Sequence, residues 1–342
     1  IIGSRDLHHR VFFGRYISRL EALMRVYPPT ACIGSNGTET GSLLSQLQRF
    51  PNFIETDHTA WDLHVSGQLL EALNDEYRRI FEVPAQDAYY FDLVLKSYLN
   101  TTWRFRNGIT YTLSGTRVSG DVDTTSGNSL IHIALNRVVA RLSRLHPHDM
   151  DQRVKGDDSV IGFHQRDGRG FDVSHFAKFG FVVKAKTRND LSEVEFCSGF
   201  LLPSATGFQT ARNPWKVIRH TPFVHGVTNR KEFQRKSTQK ALCEAMVNQH
   251  VPVMGALTNY WWRCAGCPTS VNFTDREVRR RWEFCRVDDP RITLRARYHF
   301  AQLWGISVEA QQECEHYLDM LPNQTVPNHW VLQNLALQEE RE

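Results

Sequence analysis

Up to about residue 203, short β-prone runs alternate with apolar stripes at helical spacing; beyond it the patterns are mixed and mostly helical. Asn52-Phe53-Ile54-Glu55-Thr56-Asp57 is an apolar run ending in an acid, which predicts a buried strand. Val65, Leu69, Leu70, Leu73, Tyr77, Ile80 and Phe81 then recur at helical spacing and predict an amphipathic helix ending near Pro84. A Gly-rich turn, Ser114 to Gly120, leads into a long helix carrying Leu130, Ile131, Ala134, Leu135, Val138, Val139, Leu142 and Leu145, with Pro147 beyond its end. Val154 to Phe163 reads as a hairpin around the acidic turn Gly156-Asp157-Asp158. A short helix around Asp172 to Lys178 runs through Gly180 into a strand at Phe181 to Lys184, and one more hairpin is expected over Glu195 to Pro203. This order predicts an α+β layer with helices on one face of a sheet and a boundary near residue 203.

Composition narrows the class. The chain has 342 residues, 41% hydrophobic, enough for a substantial core and for roughly two domains at about 150 residues each. A formal charge of +4 is compatible with an acidic partner but does not demand one. Seven cysteines make no dense framework, which excludes a small disulfide-stapled fold and favours a reducing compartment. The longest uncharged stretch, Ala245 to Trp262, contains Asn248, Gln249, His250 and Asn259, so no membrane segment is expected. The chain opens Ile1-Ile2-Gly3, with neither an initiator Met nor a leader, and reads as a piece of something longer.

The candidate chemistry is acidic. Should the strand ending at Asp57 lie beside the hairpin tipped by Asp157 and Asp158, three carboxylates converge, and their repulsion makes sense only with cations between them. Mg²⁺ suits such a set, because it takes a few carboxylates and keeps positions for water and phosphate. Two such ions about 4 Å apart are a standard means of in-line phosphoryl transfer. Gly-Asp-Asp alone is weak, since roughly 5–10% of chains this long would carry one by chance, and a solvated hairpin turn is its bland reading. The upstream residues change the balance. Asp62 follows Asp57 by five; Ser119-Gly120 is followed by Thr124 and then Asn128, which share one helix face. Asp62, Ser119, Thr124 and Asn128 suit a site that grips a ribose, whose 2′-hydroxyl both donates and accepts. Taken singly, Asp62 could be a helix N-cap and Asn128 an ordinary polar helix residue.

With these residues in this order, the chain closely resembles the RNA-dependent RNA polymerases of positive-strand RNA viruses over roughly residues 1–203. Asp57 and Asp62 stand at the D-x4-D of the first palm motif. Ser119-Gly120, Thr124 and Asn128 match the S-G-x3-T-x3-N of the second, and Gly156-Asp157-Asp158 matches the third. The string from Gly115 to Asn128, and Gly14-Arg15-Tyr16 with Ile17 and Glu21, look most like tombusvirus-type polymerases. Lys184, with Lys186 as rival, resembles the fourth motif's lysine, proposed there as a general acid towards pyrophosphate; Phe196-Cys197-Ser198-Gly199 resembles the fifth motif.

The resemblance implies a right-hand polymerase with a ferredoxin-like palm (51–62 and 114–203), partial fingers (a remnant at 1–50 and an insertion at 63–113) and a mostly helical thumb (204–342). It implies two Mg²⁺ or Mn²⁺ ions on Asp57, Asp157 and Asp158. Asp62, Ser119, Gly120, Thr124, Asn128 and Arg5 would contact the nucleotide, Arg5 as the last remnant of a basic finger segment. Expected partners are template and nascent RNA, ribonucleoside triphosphates and other viral replicase segments, in the host cytoplasm at replication membranes. With most of the fingers absent, these 342 residues alone are expected to polymerise poorly.

From Arg212 to Lys240, eight Lys or Arg face one acid, Glu232, with Trp215, Phe223 and Phe233 interleaved. Arg212, Lys216, Arg219, Lys231, Arg235 and Lys236 are therefore candidates to track an RNA backbone, the alternative being a solvated face. Cys264 and Cys267 have half a zinc-site spacing without a second pair and read as plain thiols, and Cys197 as packed within its hairpin. His8, His9, His146 and His148 are scattered and carry no assigned role. Two rival functions stand beside RNA synthesis. A reverse transcriptase would share the acids but normally sets a bulky group against the 2′-hydroxyl; an inactive, RNA-binding polymerase-like scaffold would need none of the chemistry.

Overall fold

In the computed structural model, which describes residues 5–26, 30–105, 107–267 and 276–338, the chain forms two compact units. One comprises residues 1–34 and 47–190, the other 35–46 and 191–342. The first begins with α1 (Leu7–Val26), whose Phe13, Tyr16, Ile17, Leu20 and Met24 fall on one buried face. The chain then supplies α2 (Gly37–Ser45) to the second unit and returns as β1 (Asn52–His58). A single turn, α3 (Trp61–His64), precedes α4 (Gly67–Ile80), where Ser66 rather than Asp62 caps the helix by accepting from the Leu69 N–H. Pro84 does not itself close α4. It introduces α5 (Ala85–Leu99), which the apolar spacing had not announced. An exposed ribbon of β2 (Asn100–Arg104) and β3 (Thr110–Ser114) follows.

The long helix expected after the Gly-rich turn is α6 (Thr124–Leu142). The acidic hairpin is β4 (Met150–Lys155) and β5 (Asp158–Phe163), and a 3-10 turn (Val173–Phe179) closed by Gly180 leads to β6 (Val183–Arg188). These strands make one antiparallel sheet in the order β4-β5-β1-β6, a β-helix-β-β-helix-β chain with the first and last strands adjacent. One hydrophobic core joins α1, α4, α5 and α6 to the sheet, through Phe13, Leu70, Tyr77, Leu95, Val139 and Ile161 among others.

The compact units divide at 190/191, ahead of residue 203. The reason is pairing: β7 (Gly199–Pro203) forms its hairpin forwards, with β8 (Phe208–Arg212), and a cut at 203 would split it. Phe196 and Gly199 close only a tight reverse turn, in which Cys197 is exposed with a φ of 53° instead of packed inside. Helix α2 belongs here because Thr210 donates to the Gly37 carbonyl and Gly37 to that of Arg286. The rest of this unit is helical: α7 (Pro214–His220), α8 (Arg230–Val247), α9 (Met254–Cys264), α10 (Arg276–Cys285), α11 (Leu294–Trp304), α12 (Val308–Met320) and α13 (Trp330–Ala336). Phe200, Leu202, Val217, Met254, Phe300, Leu318 and Leu335 lie in its core. No helix among the described residues is long and apolar enough to cross a membrane.

The loop between β3 and α6 is fixed by charge buried in the first unit. Arg117 and Asp123 pair at 2.8 Å with both side chains 1% exposed, and the Tyr77 hydroxyl donates to the same Asp123 oxygen. Burial alone would lower the Arg117 pKa, but Asp123 together with Tyr77, Tyr98 and Asp121 outweighs it and leaves the guanidinium firmly charged. A Cβ on Gly127 would stand 2.4 Å from an Arg117 nitrogen, so the first turn of α6 must be bare for the pair to form. Removing one partner of such a pair strands the other. Arg117→Ala should therefore cost about 3–5 kcal/mol in urea unfolding. Arg79→Ala, which removes an exposed pair with Glu76, should cost less than about 1 kcal/mol. Similar losses for both would show that the buried pair does not hold the loop.

Candidate active site

Register brings the acids together. Thr56 pairs with Ser159 across β1 and β5, so Asp57 and Asp158 are one residue further along adjacent strands, which lie about 5 Å apart. Thr56 and Ser159 share a hydrogen bond of 2.7 Å on the face covered by α6, where Asn136 donates to Ser159. By the alternation of a strand, Asp57 and Asp158 point to the other face, and Asp57 is exposed there. Lys184 pairs directly with Asp57 on β6 and is exposed on the same face. Lys186 pairs with Glu55, two positions further from the acids.

Between β4 and β5 the loop is only Gly156 and Asp157, since Lys155 pairs with Asp158. Gly156 has a φ of 66°, the left-handed conformation that such a hairpin takes at its first central residue. Partial burial pushes the Asp157 carboxyl above the ordinary value of 3.8; its own backbone N–H opposes this, and the charges of Asp62 and Asp57 add to the rise. Three carboxylates from three chain segments thus act on one another at one end of the sheet.

Asp62 is held for this position. Ser119 donates to one of its carboxylate oxygens and Asn128 to the other at 2.9 Å, while the Arg117 backbone N–H donates to its carbonyl at 2.9 Å. Neither bland reading survives: Ser66 is the helix cap, and Asn128 is 4% exposed and bonded across 66 positions of sequence. Gly120 occupies the turn between Ser119 and Asp121.

Two expected nucleotide contacts are otherwise engaged. The Thr124 hydroxyl donates to the carbonyls of Asp121 and Val118, and Arg5 donates to Asp121 at 2.7 Å and to Thr101 at 3.0 Å. Burial raises the Asp121 carboxyl to about 6 even against the pull of Arg5. Both residues therefore shape the loop that presents Ser119.

Sequence reasoning missed four groups behind the acids. Arg117 and Asp123 brace the loop; Ser129 and His132, on α6, reach the Gly156 backbone at 2.8 and 3.2 Å. Their spacing on α6 was visible, but nothing in the sequence says which turn they meet.

The basic segment of the second unit is mostly tied down. Arg212 donates to Glu244 at 2.7 and 2.9 Å, and Arg281 donates to it at 2.6 Å. Burial raises the Glu244 carboxyl, but the two guanidinium groups outweigh this and hold it below its ordinary value. Lys216 pairs with Glu195, and Lys236 donates to the carbonyls of His225 and Gly226. Arg219 is partly exposed; Lys231 and Arg235 are exposed on α8. Among the described residues, no group of three or more His, Cys, Asp or Glu is closed around a point that could hold a metal ion by itself.

Comparison with known proteins shows the family. The chain is 25% identical to an RNA-directed RNA polymerase of Groundnut rosette virus (strain MC1), an alignment covering 95% of this chain and 40% of that protein. It is 26% identical to that of Cucumber necrosis virus, over 93% of this chain and 40% of that protein. It is 27% identical to that of Tomato bushy stunt virus (strain Cherry), over 68% and 30%. The chain thus spans less than half the length of these relatives. Residues 5–325 match the family described as Viral RNA dependent RNA polymerase, and with nearly the whole length matched the chain belongs to that family.

Proposed function

We propose that the chain is the catalytic part of an RNA-directed RNA polymerase, adding ribonucleotides to an RNA 3′-hydroxyl opposite an RNA template in viral replication. The observation that carries this is the convergence of Asp57, Asp62 and Asp157 with Asp62 gripped by Ser119 and Asn128. In this reading the four-stranded sheet with α6 is a ferredoxin-like palm, the segment 63–113 belongs to the fingers and the helical second unit to the thumb. Its setting is the host cytoplasm at replication membranes, with other replicase segments.

The donor set fits hard divalent cations. Burial raises Asp157 and the charges of Asp62 and Asp57 add to the rise, a setting that a cation would relieve, and such ions complete their shells with water and substrate phosphate instead of a closed protein cage. Asp57 and Asp157 would hold two Mg²⁺ or Mn²⁺ ions, with Asp158 assisting. When bound, the ions would lower the pKa of the attacking hydroxyl and neutralise charge on the leaving pyrophosphate. The bond from oxygen to the α-phosphorus forms as the bond to the β-phosphate oxygen breaks. Lys184, on the strand beside Asp57, would protonate the pyrophosphate oxygen. Asp62 would accept from the ribose 2′-hydroxyl, and Ser119 and Asn128 keep its carboxylate aimed.

Two outcomes follow. Asp157→Ala should lower templated synthesis at least about a hundredfold. Asp62→Ala should lower the preference for ribo- over deoxynucleotides by about ten- to a hundredfold, the worth of a charge-assisted hydrogen bond. Wild type preferring deoxynucleotides would favour the reverse transcriptase, and equal RNA binding with no synthesis in wild type and Asp157→Ala would favour the scaffold.

The raised carboxyl also makes stability depend on pH. Between the ordinary carboxylate range and the raised value, the folded chain keeps a proton that the unfolded chain has released. Asp157 therefore costs stability as pH rises through that window, and the cost persists above it. In chelator at pH 7, Asp157→Asn should melt at a higher temperature than wild type, with the gain gone below about pH 4. Mg²⁺ should raise the wild-type melting temperature and leave that of Asp157→Asn nearly unchanged; equal response in both would remove Asp157 from the metal set.

A further inference from the structure

The acidic turn is gripped through its glycine. Gly156 N–H donates to Ser129 Oγ at 2.8 Å, and the Ser129 hydroxyl donates its one proton to the Thr125 carbonyl at 2.7 Å, leaving its lone pairs for Gly156. The Gly156 carbonyl accepts from His132 Nδ1 at 3.2 Å. His132 Nε2 must then be the acceptor in its 3.2 Å contact with His58 Nε2, so His58 carries its proton there and its buried Nδ1 is left without a partner. Both rings are neutral in this arrangement. Burial pushes His58 to about 4 and His132 well below its ordinary value, each lowered further by a neighbouring histidine.

These two bonds hold the peptide groups on either side of the Gly156 Cα. One fixes the peptide from residue 155 and the other the peptide into residue 157, so together they fix φ and ψ of the glycine. No Cβ or side chain of Gly156 supplies that constraint, and nothing else stands within 4 Å of where its Cβ would be. The next atoms along the chain are those of Asp157. Ser129 and His132 also follow Asn128 on α6, so one rigid helix carries both the residue that aims Asp62 and the pair that fixes the turn.

We infer that Ser129 and His132 form a clamp on Gly156 that aims the Asp157 carboxylate, which makes them positioning residues for nucleotide addition. The inference rests on the function proposed above for what Asp157 does, but not for whether the turn is held. The test compares Ser129→Ala, His132→Ala, His132→Asn and His132→Gln. Asparagine places an N–H where histidine has Nδ1, and glutamine places its amide near Nε2, so only asparagine can keep the bond to Gly156.

In the metal-free protein, hydrogen exchange at the Gly156 amide should speed up about tenfold in Ser129→Ala, His132→Ala and His132→Gln, and by less than about threefold in His132→Asn. In RNA-templated synthesis, kcat should fall about ten- to a hundredfold in the first three with the ribonucleotide KM within about threefold, and His132→Asn should recover most of it. Equal losses in the asparagine and glutamine variants, or exchange that simply follows the global unfolding midpoint, would overturn the clamp. Should the His132 variants fail to fold, Ser129→Ala, which deletes one oxygen, decides by the same two readouts. An inactive wild type would refute the proposed function, while amide exchange would still decide whether the turn is clamped.

Discussion

Like charges held close together set the terms for the rest of the first unit. Asp57, Asp62 and Asp157 come from a strand end, a single-turn helix and a two-residue hairpin loop, none of which would choose the others' company. Neighbouring carboxylates repel, and a chain free to relax would separate them. The convergence persists because each is fixed from behind: Asp57 by pairing on both sides of β1, Asp62 by Ser119 and Asn128, and Asp157 through the backbone of Gly156. The strain of the site is thus balanced by hydrogen bonds and packing one layer away from it.

That supporting layer is unusually polar for an interior. Arg117 with Asp123, Thr56 with Ser159, and Asn136 with Gln152 are all buried, and each pair joins segments distant in sequence or braces a loop. An apolar core of the same volume would hold the sheet at least as well, because buried ion pairs seldom add net stability. What polar pairs contribute is direction. A guanidinium that must meet one carboxylate fixes the Gly115-to-Asp123 loop in one geometry, and Ser119 is therefore presented at one place.

Most of the site's residues were legible because their spacing follows local structure. A strand ending in an acid, a hairpin with an acidic turn and an i, i+4 pair on a helix can all be read from periods of two and 3.6. Asp57, Asp157 and Asn128 were read that way, whereas Asp62 and Ser119 were read from their spacing to Asp57 and to Thr124. Residues whose role depends on the partner they meet were illegible. Arg212 and Lys216 read as part of a cationic face, yet Arg212 lies against the buried Glu244 and Lys216 against Glu195. Nothing in the sequence marks Ser129 or His132. Strand β7 pairs forwards with β8, although Pro203, its last residue, looks like an end in the sequence.

The pairing of Arg212 also changes what the positive charge of the second unit can do. Counterion release on binding RNA scales with phosphates neutralised, so a guanidinium already matched to a buried carboxylate contributes little to that slope. Breaking Arg212 away from Glu244 would leave an acid buried with one remaining cation, a cost no exposed phosphate contact repays. Lys236 is different. Its ammonium bonds backbone carbonyls and the partly exposed Glu232, partners that water can replace. The sequence count of eight basic residues over Arg212 to Lys240 therefore overstates the charge available to a polyanion. On α8, Lys231 and Arg235 are exposed and Lys236 is partly exposed.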